Sequence, residues 1–463
     1  MKKLITIAIL SAAVLFAHSQ SFDFHAEPKE NEYIQYIESR NQGPATHMFI
    51  LCLEYGIADT AIDKNDFTVK QYLVSKNDSG RTYGPSMGTL ALKDAFICDK
   101  DGTPTTGRGK LIALVVDPDS EENIDPFISF KKPSSADDLY GYRIENEKLE
   151  INIATRTAVK SKGLEKFIPH EFKGTEENMK YTLFVPGSSK DSAEKIPLMV
   201  WFHGLGEGGT FVYEPLLGNP VPNLAGEKIQ SHFPKGAAVL VPQCRTSWLE
   251  STTTDSNGGH KWVIVDDIKI KKSIKEKVLS PFSRISSPGP KRGTKESTEN
   301  TVSLFTVTVK ELLDDVLKNN SAIDPKRIYL MGCSAGGYMA LNMQFSYPDT
   351  FAAVAVTCPA YPVSKISYSK VESIYDRPMW IVYAKNDETL DPMKFSAGII
   401  SRMENSGASD FHKSVFENVI ISEADGKIER EHSGHSSWLY LLNDRCSDGS
   451  LNLFDWLAQK KLD

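Results

Sequence analysis

From Gly163 onward, short apolar runs alternate with helical patterns, and this alternation constrains the fold more than any other feature of the sequence. The runs have no polar face, which is typical of strands that are buried on both sides of a sheet. Across residues 302–317 the apolar residues recur at helical spacing and form one face. Repeated strand–helix–strand units predict an α/β fold with a mostly parallel central sheet and helices on both sides. The strand-like runs read YTLFVP, PLMVWFHG, AAVLVPQ, RIYLMG, FAAVAVT and PMWIVYA.

The part of the chain before Gly163 has a different pattern. Between about Pro44 and about Val159, short strand-like runs are separated by polar, Gly, Pro and Asp clusters, without an amphipathic helix of useful length. Strands at such intervals predict an all-β sandwich. A chain of 463 residues is also too long for one ordinary domain. We therefore predict a β-sandwich domain over 20–162 and an α/β domain over 163–463.

The first residues have the pattern of an export signal, which we predict over 1–19. Lys2 and Lys3 precede the apolar stretch LITIAILSAAVLFA, and Ala17 and Ser19 place small residues at the positions that determine cleavage. A membrane anchor is the alternative, but the apolar run is short for a spanning helix. We therefore expect a secreted or periplasmic protein without stable membrane insertion.

Charge and cysteine spacing each argue against one class of function. The chain has 53 Lys and Arg against 60 Asp and Glu, and no basic block rises above the background, which argues against a nucleic-acid partner. The six cysteines include no CxxC pair, which argues against a zinc site of that kind. Their pairing is left open.

Ser334 is a candidate nucleophile because of its position between a strand and a helix. It lies in Gly-Cys-Ser-Ala-Gly, residues 332–336, after RIYLMG and before GGYMALNMQF. A sharp strand-to-helix turn needs small neighbours; it lifts the central hydroxyl above the sheet edge and aims the helix N-terminus at it. A simple helix cap is the alternative.

A serine hydroxyl needs a base, and the base needs a group that orients it. In this type of fold the acid and then the histidine follow the serine along the chain. Asp387 comes just after the strand-like PMWIVYA and is the candidate acid, with Asp391 second and Glu388 third. His435 follows the last strand-like run, VIIS, and is the candidate base, with His432 as the alternative.

A carbonyl under attack also needs hydrogen-bond donors for its developing negative charge. One candidate is the backbone N–H of Ala335, which follows the serine. The other is the N–H of Leu205 in HGLG, directly after an early strand. His203 precedes the serine, so we expect it to brace this loop rather than to act as a base. A plain glycine turn is the alternative for the stretch.

One insertion, about 245–300, interrupts the alternation. Its middle, HKWVIVDDIKI, has strand character, whereas its end, SSPGPKRGTKEST, does not. It leaves the sheet at the edge expected to carry Ser334, so we predict a flap over the substrate cleft, with Trp248 or Trp262 lining the substrate site. A surface decoration remote from the site is the alternative.

Together these stretches resemble the α/β-hydrolase superfamily, and more narrowly exported esterases related to polyhydroxybutyrate depolymerases and feruloyl esterases, some of which are labelled predicted peptidases. The resemblance covers most of 181–457, including PLMVWFHGLGEGG, IDPKRIYLMGCSAGGYMAL and GHSSW. It implies Ser334, Asp387 and His435 as a triad, with an oxyanion hole near Leu205 and Ala335. The earlier stretches DFTVKQ and DAFICDKDGTPTTGRGKLIALVV resemble the immunoglobulin-like N-terminal domain of some two-domain bacterial esterases.

Two features depart from the family pattern. The insertion is longer than the resemblance leads us to expect. Cys333 adjoins the serine, and dienelactone hydrolases place a cysteine nucleophile in a similar turn; here the central residue is serine, so we interpret Cys333 as a buried neighbour.

The sequence therefore predicts a serine esterase that acts through an acyl-enzyme on a small-molecule or polysaccharide-linked ester, without a metal or organic cofactor. A serine peptidase on the same scaffold is one alternative, because amide hydrolysis needs the same triad. A non-catalytic protein that binds a glycan or a partner is the other. The acyl group, the alcohol and the oligomeric state are not specified by the sequence.

Overall fold

The computed structural model describes residues 22–77, 80–117, 120, 140–189, 194–254, 256–262, 302–422 and 429–463. The predicted export signal and the Ser-, Pro- and Gly-rich end of the predicted flap lie outside these residues. Across the described ranges, no helix is long and apolar enough to cross a membrane.

The first part of the chain is built from strands that form two sheets with one core between them. In chain order the strands are β1 Glu32–Arg40, β2 Gly43–Ala58, β3 Thr68–Asn77, β4 Gly80–Leu90, β5 Leu92–Ile97, β6 Arg108–Val116, β7 Tyr140–Asn146, β8 Ile151–Ile153 and β9 Thr155–Ser161. One sheet has the order β5-β6-β2-β1-β9 and the other β4-β3-β7-β8. Tyr33 and Phe49 of the first sheet pack against Tyr142 of the second in a shared apolar cluster. The observed arrangement is the two-layer, all-β one that the strand spacing predicts.

Strand β1 precedes the strand-like runs that the sequence predicts. It pairs antiparallel with β2 on one side and parallel with β9 on the other, so it lies inside its sheet. Its register with β2 shifts between Tyr36 and Ile37. The residue left unpaired by this bulge is His47 of β2, so β1 itself runs without an insertion. Strand β1 is an addition to the predicted set.

The second part contains a mixed sheet and its covering helices. Its strands are β10 Ile168–Lys173, β11 Asn178–Phe184, β12 Ile196–Phe202, β13 Ala238–Gln243, β14 Glu250–Thr254, β15 His260–Trp262, β16 Ile323–Cys333, β17 Ala353–Thr357, β18 Met379–Ala384, β19 Phe411–Phe416, β20 Val419–Ser422, β21 Glu429–His432, β22 Ser447–Asp448 and β23 Leu451–Asn452. Its helices are α1 Glu214–Leu217, α2 Glu227–Gln230, α3 Thr306–Asn319, α4 Ala335–Ser346, α5 Tyr368–Glu372, α6 Ser396–Asn405, α7 Trp438–Leu442 and α8 Leu453–Ala458.

Within the described part of the chain, eight strands form the central sheet in the order β10-β11-β13-β12-β16-β17-β18-β19. All pairs from β13 to β19 are parallel, as the alternating pattern predicts. Strands β10 and β11 are antiparallel and make one edge mixed. Both faces are covered, because Leu198 and Val200 of β12 pack in one apolar cluster with α3, α4 and α6, whereas Met199 and Trp201 pack in another with α1 and α8.

The two parts of the chain share apolar core. Ile37 of β1 and Val159 of β9 lie in the same cluster as Leu216 and Leu217 of α1. The boundary at about residue 163 stays a prediction, and this shared cluster means that cutting there would expose apolar surface on the α/β part.

Candidate active site

Ser334 occupies a strained turn between β16 and α4. Its backbone has φ 52° and ψ −115°, in the left-handed range that side chains rarely adopt. Such a conformation costs about 1–3 kcal/mol and persists only where the surroundings enforce it. A Cβ on Gly336 would overlap the carbonyl oxygen of Phe202, and a Cβ on Gly332 would lie 2.8 Å from that same oxygen. The two glycines therefore allow α4 to approach β12 closely enough to form the turn.

The structure brings Ser334, His435 and Asp387 together. The Nδ1 atom of His435 lies 2.8 Å from Oδ2 of Asp387, and its Nε2 atom lies 3.0 Å from Oγ of Ser334. An ionised carboxylate can only accept, so Nδ1 carries the proton and Nε2 accepts from the serine hydroxyl. His435 and Asp387 are 5% and 7% exposed. The imidazole is thus held in the tautomer that a general base requires.

The loop after β18 orients the carboxylate of Asp387. Its Oδ1 atom accepts hydrogen bonds from the amides of Thr389 and Leu390 at 2.8 and 2.9 Å, which leaves Oδ2 directed at His435. The two other acids considered from the sequence, Asp391 and Glu388, are exposed, and Asp391 accepts from the backbone of its own turn. The geometry therefore distinguishes one of the three candidate acids.

The loop that carries His435 is packed against the loop that carries the acid. A Cβ on Gly434 would overlap backbone and side-chain atoms of Asn386, so only glycine allows the two loops to approach this closely. The thiol of Cys358 donates to the carbonyl oxygen of His435 at 3.1 Å. His432 lies at the end of β21 and not at the serine.

Two ionisation states follow from the environment of the site. Burial opposes protonation of His435, but its neighbours, the Asp387 carboxylate among them, outweigh burial and raise the pKa of His435 above its usual value. The carboxylate that sets the tautomer of the neutral ring therefore also stabilises the imidazolium that forms when the ring accepts a proton. Burial raises the pKa of the Cys333 thiol well above its usual value. Cys333 is therefore a protonated, buried neighbour of Ser334, as the sequence predicts.

The loop after β12 lies beside Ser334 because of the sheet register. Phe202 pairs with Gly332, so the residues after these strands emerge next to each other at the same sheet edge. Leu205 begins a short 3₁₀ turn and is 43% exposed. In the described ranges, the amides of Leu205 and Ala335 donate to no acceptor of the protein. Both N–H groups are available to a ligand, and their role in an oxyanion hole stays a prediction.

His203 braces this loop as expected. Its Nε2 atom accepts from the amide of Cys244 at 3.1 Å, so the proton is on Nδ1, which donates to the carbonyl oxygen of Gly204 at 2.7 Å. Burial lowers its pKa to about 4, so the ring stays neutral. Both ring nitrogens are committed to backbone groups, which leaves none for base catalysis.

The interpretation of Trp248 as a residue lining the substrate site is wrong. Its side chain is 0% exposed and packs edge-to-face on Phe202 and Phe305. Its indole N–H donates to the carbonyl oxygen of His203 at 3.1 Å. A tryptophan that follows a core strand has enough apolar surface to be buried when its N–H finds an acceptor, and here it packs behind the loop that follows β12.

The ordered part of the predicted flap is a hairpin. Strands β14 and β15 pair antiparallel, with Glu250 opposite Trp262. The hairpin also bridges Ser251 to Ser303, next to the start of α3. The backbone of Trp262 thus lies in the hairpin, whereas its side chain and the remainder of the insertion lie outside the described residues, so the flap stays a prediction.

Cysteine and metal-ligand positions are also defined by the structure. All six cysteines lie in described residues, and all are buried and unpaired, which answers the pairing question. Among the described residues, one cluster has metal-ligating atoms close enough to share an ion, namely Cys358, Asp387 and His435 within 4.8 Å. Of these groups, the His435 ring and the Asp387 carboxylate are hydrogen-bonded to each other, and the Cys358 thiol donates to the backbone carbonyl oxygen of His435.

The sequence reasoning did not identify Glu214, a buried acid at the start of α1. It is 1% exposed, and within the described chain its Oε2 atom has no hydrogen-bond partner. Burial, together with nearby Glu207, raises the pKa of Glu214 to about 9. The folded protein therefore retains a proton that the unfolded chain releases above pH 4.5. The contribution of Glu214 to stability is present at low pH and is lost as the pH rises toward 9.

Replacing Glu214 by glutamine should remove this pH dependence, because the amide has the same shape and does not ionise. Relative to wild type, the free energy of unfolding of the variant should rise by roughly 4 kcal/mol between pH 5 and pH 8, at about 1.4 kcal/mol for each pH unit. Urea denaturation at both pH values measures it. Glu227→Gln, at an exposed position on α2, is the matched control and should show no such change. If the free energy of unfolding of Glu214→Gln differs from that of wild type by the same amount at pH 5 and at pH 8, Glu214 is already ionised in the native protein.

Comparison with known proteins shows what this chain resembles. A model of the prolyl oligopeptidase family matches residues 307–405, which contain Ser334 and Asp387 but not His435. A solved thermostable esterase aligns with 93% of this chain and 99% of its own, with a TM-score of 0.63 and 21% identity. Poly(3-hydroxyalkanoate) depolymerase C of Paucimonas lemoignei is 43% identical over 49 residues, 11% of this chain and 12% of that protein. A ferulic acid esterase aligns with 63% of this chain and 98% of its own at 14% identity and a TM-score of 0.38.

These matches differ in what they establish. The thermostable esterase shares the fold over nearly the whole chain, and at 21% identity this likeness shows the fold alone. The chain spans about an eighth of the depolymerase.

Proposed function

We propose that this chain is a serine esterase that hydrolyses carboxylic esters through an acyl-enzyme on Ser334. The observation that carries the proposal is the hydrogen-bonded series from Asp387 through His435 to Ser334, at 2.8 and 3.0 Å, with the serine held at a positive φ. The same arrangement recurs on several unrelated folds whose serine attacks a carbonyl.

The proposed reaction uses one proton carrier in both halves. As Oγ of Ser334 attacks the ester carbonyl, Nε2 of His435 takes its proton, and Asp387 stabilises the imidazolium. The N–H groups of Leu205 and Ala335 hold the tetrahedral oxyanion. When the intermediate collapses, Nε2 donates the proton to the departing alkoxide. His435 then takes a proton from water, which attacks the acyl-enzyme, and the proton returns to Ser334 as the acid leaves.

A serine peptidase is the second candidate, and the family match over 307–405 is the observation that favours it. A paired assay separates the two. The proposal predicts that, for an ester and an amide with the same acyl group, kcat/KM for the ester exceeds that for the amide by more than their intrinsic reactivities explain. Efficient amide cleavage, with esters no better than their chemistry requires, would replace the esterase proposal with the peptidase one. A panel of short-chain, long-chain and feruloyl esters then defines the acyl preference.

The proposal extends to location and to the first part of the chain. An export signal over 1–19 would place the enzyme outside the cytoplasm, where small-molecule or polysaccharide-linked esters are its substrates. N-terminal sequencing of the exported protein tests this, with Gln20 as the expected first residue. We assign the first part an immunoglobulin-like fold, supported by its two sheets and shared core.

A further inference from the structure

A partly buried series of hydrogen bonds joins the two loops that flank Ser334. The carboxylate of Glu207 accepts from the amide of Gly204 through Oε2 and from Nδ2 of Asn219 through Oε1, both at 2.7 Å. Oδ1 of Asn219 accepts from the indole N–H of Trp438 at 2.6 Å. The Trp438 ring meets the His435 ring edge-to-face at 5.5 Å. This series of contacts thus runs from the Gly204–Leu205 loop, which carries the proposed oxyanion donor, to the proposed catalytic histidine, His435.

The direction of each bond in this chain is determined by chemistry. The amide of Gly204 and the indole of Trp438 can only donate, so Asn219 must turn its oxygen to the indole and its NH₂ group to Glu207. Glu207 therefore faces two donors and needs two acceptor oxygens. Among side chains of its length, a carboxylate provides both and a glutamine does not.

Packing leaves Glu207 little freedom to move. It is 8% exposed, and a Cβ on Gly218 would overlap its Oε1 atom. The side-chain amide of Gln243 donates to the Glu207 carbonyl oxygen at 2.9 Å. Burial raises the pKa of Glu207 to about 7, although its hydrogen bonds with Gly204 and Asn219 oppose this rise. Burying a carboxylate costs free energy, and its hydrogen bonds offset that cost. Loss of either donor would therefore leave a buried oxygen of Glu207 without a partner.

The N-terminal β-sandwich contacts the backbone on either side of Gly218, next to the Asn219 side chain. The hydroxyl of Ser39 in β1 lies 2.6 Å from the carbonyl oxygen of Asn219 and 3.1 Å from that of Leu217. Asn219 is therefore fixed through its side chain by Glu207 and Trp438 and through its backbone by the β-sandwich. The position of the turn depends on both parts of the chain.

We propose that Glu207 is a positioning residue, which through Asn219 and Trp438 sets the Gly204–Leu205 donor loop in register with His435. The inference rests on the proposed function, because the loop and the histidine are assigned to one reaction. A donor displaced by about 1 Å can cost up to 100-fold in rate without affecting ground-state binding. Disruption of the chain should therefore lower kcat and leave KM nearly unchanged.

A reciprocal exchange tests this assignment. In Glu207→Gln, the introduced NH₂ group must oppose either the Gly204 amide or the Asn219 amide, and in Asn219→Asp two carboxylates face each other. In the double variant, the introduced glutamine donates to the introduced aspartate, and every bond of the chain is restored. We expect each single change to lower kcat on a soluble ester at least about tenfold with KM within about twofold. The double variant should recover kcat to within about threefold of wild type.

Asn223→Asp is the matched control. Asn223 is exposed, and its side chain donates to the carbonyl oxygen of Leu442, at the end of the same helix as Trp438. This bond is not part of the series from Gly204 to Trp438. Loss of the Asn223–Leu442 hydrogen bond in Asn223→Asp should leave kcat unchanged. If Glu207→Gln does not fold, Trp438→Phe carries the test, because phenylalanine is smaller than tryptophan but keeps an aromatic ring beside His435 and has no N–H to donate to Asn219. In this variant kcat should fall at unchanged KM.

The outcomes are distinct. Single variants with wild-type kcat, or a double variant no better than the product of the singles, overturn the positioning role of Glu207 while ester hydrolysis by the wild type upholds the proposed function. If Trp438→Phe has to replace Glu207→Gln in the test, a wild-type kcat for Trp438→Phe overturns the positioning role of Glu207. A wild type that neither hydrolyses the ester nor reacts with a fluorophosphonate overturns the proposed function, and this inference with it.

Discussion

Ser334→Ala is expected to abolish ester hydrolysis and to leave the fold intact. Loss of the nucleophile in a serine triad typically costs several orders of magnitude, so kcat should fall by roughly 10⁴ or more. Serine and alanine both carry a Cβ, so the turn at φ 52° is no more strained in the variant than in the native chain. Steady-state kinetics and thermal unfolding, measured on the same preparation, test both parts of this result.

Ser406→Ala is a suitable control for this experiment. Ser406 is exposed, and its hydroxyl donates to the carbonyl oxygen of Arg402 near the end of α6. The control should retain wild-type kinetics. If Ser334→Ala, freed of contaminating esterases, still turns over ester at more than a few per cent of the wild-type rate, the nucleophile lies elsewhere.

Asp387→Asn should have the second largest effect. An asparagine at this position can present its NH₂ group to Nδ1 of His435, which favours the tautomer with the proton on Nε2, and such an imidazole cannot accept the serine proton. The corresponding change in a well-characterised serine protease lowers kcat by about 10⁴, and we expect a loss of that order here. Asp391→Asn is the matched change in the same loop, and it should be nearly neutral because Asp391 is exposed and does not contact His435.

Comparison of kcat/KM for Asp387→Asn and Asp391→Asn tests which aspartate is the acid of the triad. Equal losses would mean that the effect comes from the loop as a whole rather than from orientation of the imidazole. A greater loss in Asp391→Asn would mean that the loop rearranges when substrate binds, with the second carboxylate taking the place of the first. His435→Ala against His432→Ala gives the same contrast for the base.

The features that could be predicted from sequence are those specified by short stretches of chain. Ser334 was identifiable because the strand, the glycines and the helix that shape its turn are contiguous. The parallel strands were identifiable because burial on both faces removes polar residues from each run. Asp387 and His435 could be ranked by their place after strands, but their separation from Asp391 and His432 needed the hydrogen bonds themselves.

The features that sequence reasoning missed or misassigned depend on contacts between distant parts of the chain. Trp248 adjoins the insertion, yet Phe202 and Phe305 enclose it from two other elements, and no local pattern records that enclosure. The acid of Glu207 lies in a glycine-rich stretch that reads as a turn, and its partners Asn219 and Trp438 are distant along the sequence. Buried polar contacts of this kind have no periodicity for a sequence to display.

The central claim is that Ser334 is the activated nucleophile of an ester hydrolase. A fluorophosphonate, which reacts with serines activated by a neighbouring base, tests it directly when the labelled protein is examined by intact mass and peptide mapping. We expect one adduct per chain, located on Ser334, with loss of ester hydrolysis in proportion to labelling and no adduct in His435→Ala over the same time. An adduct on a different residue, or a folded wild-type protein that hydrolyses esters at full rate after exposure to the probe, would contradict it.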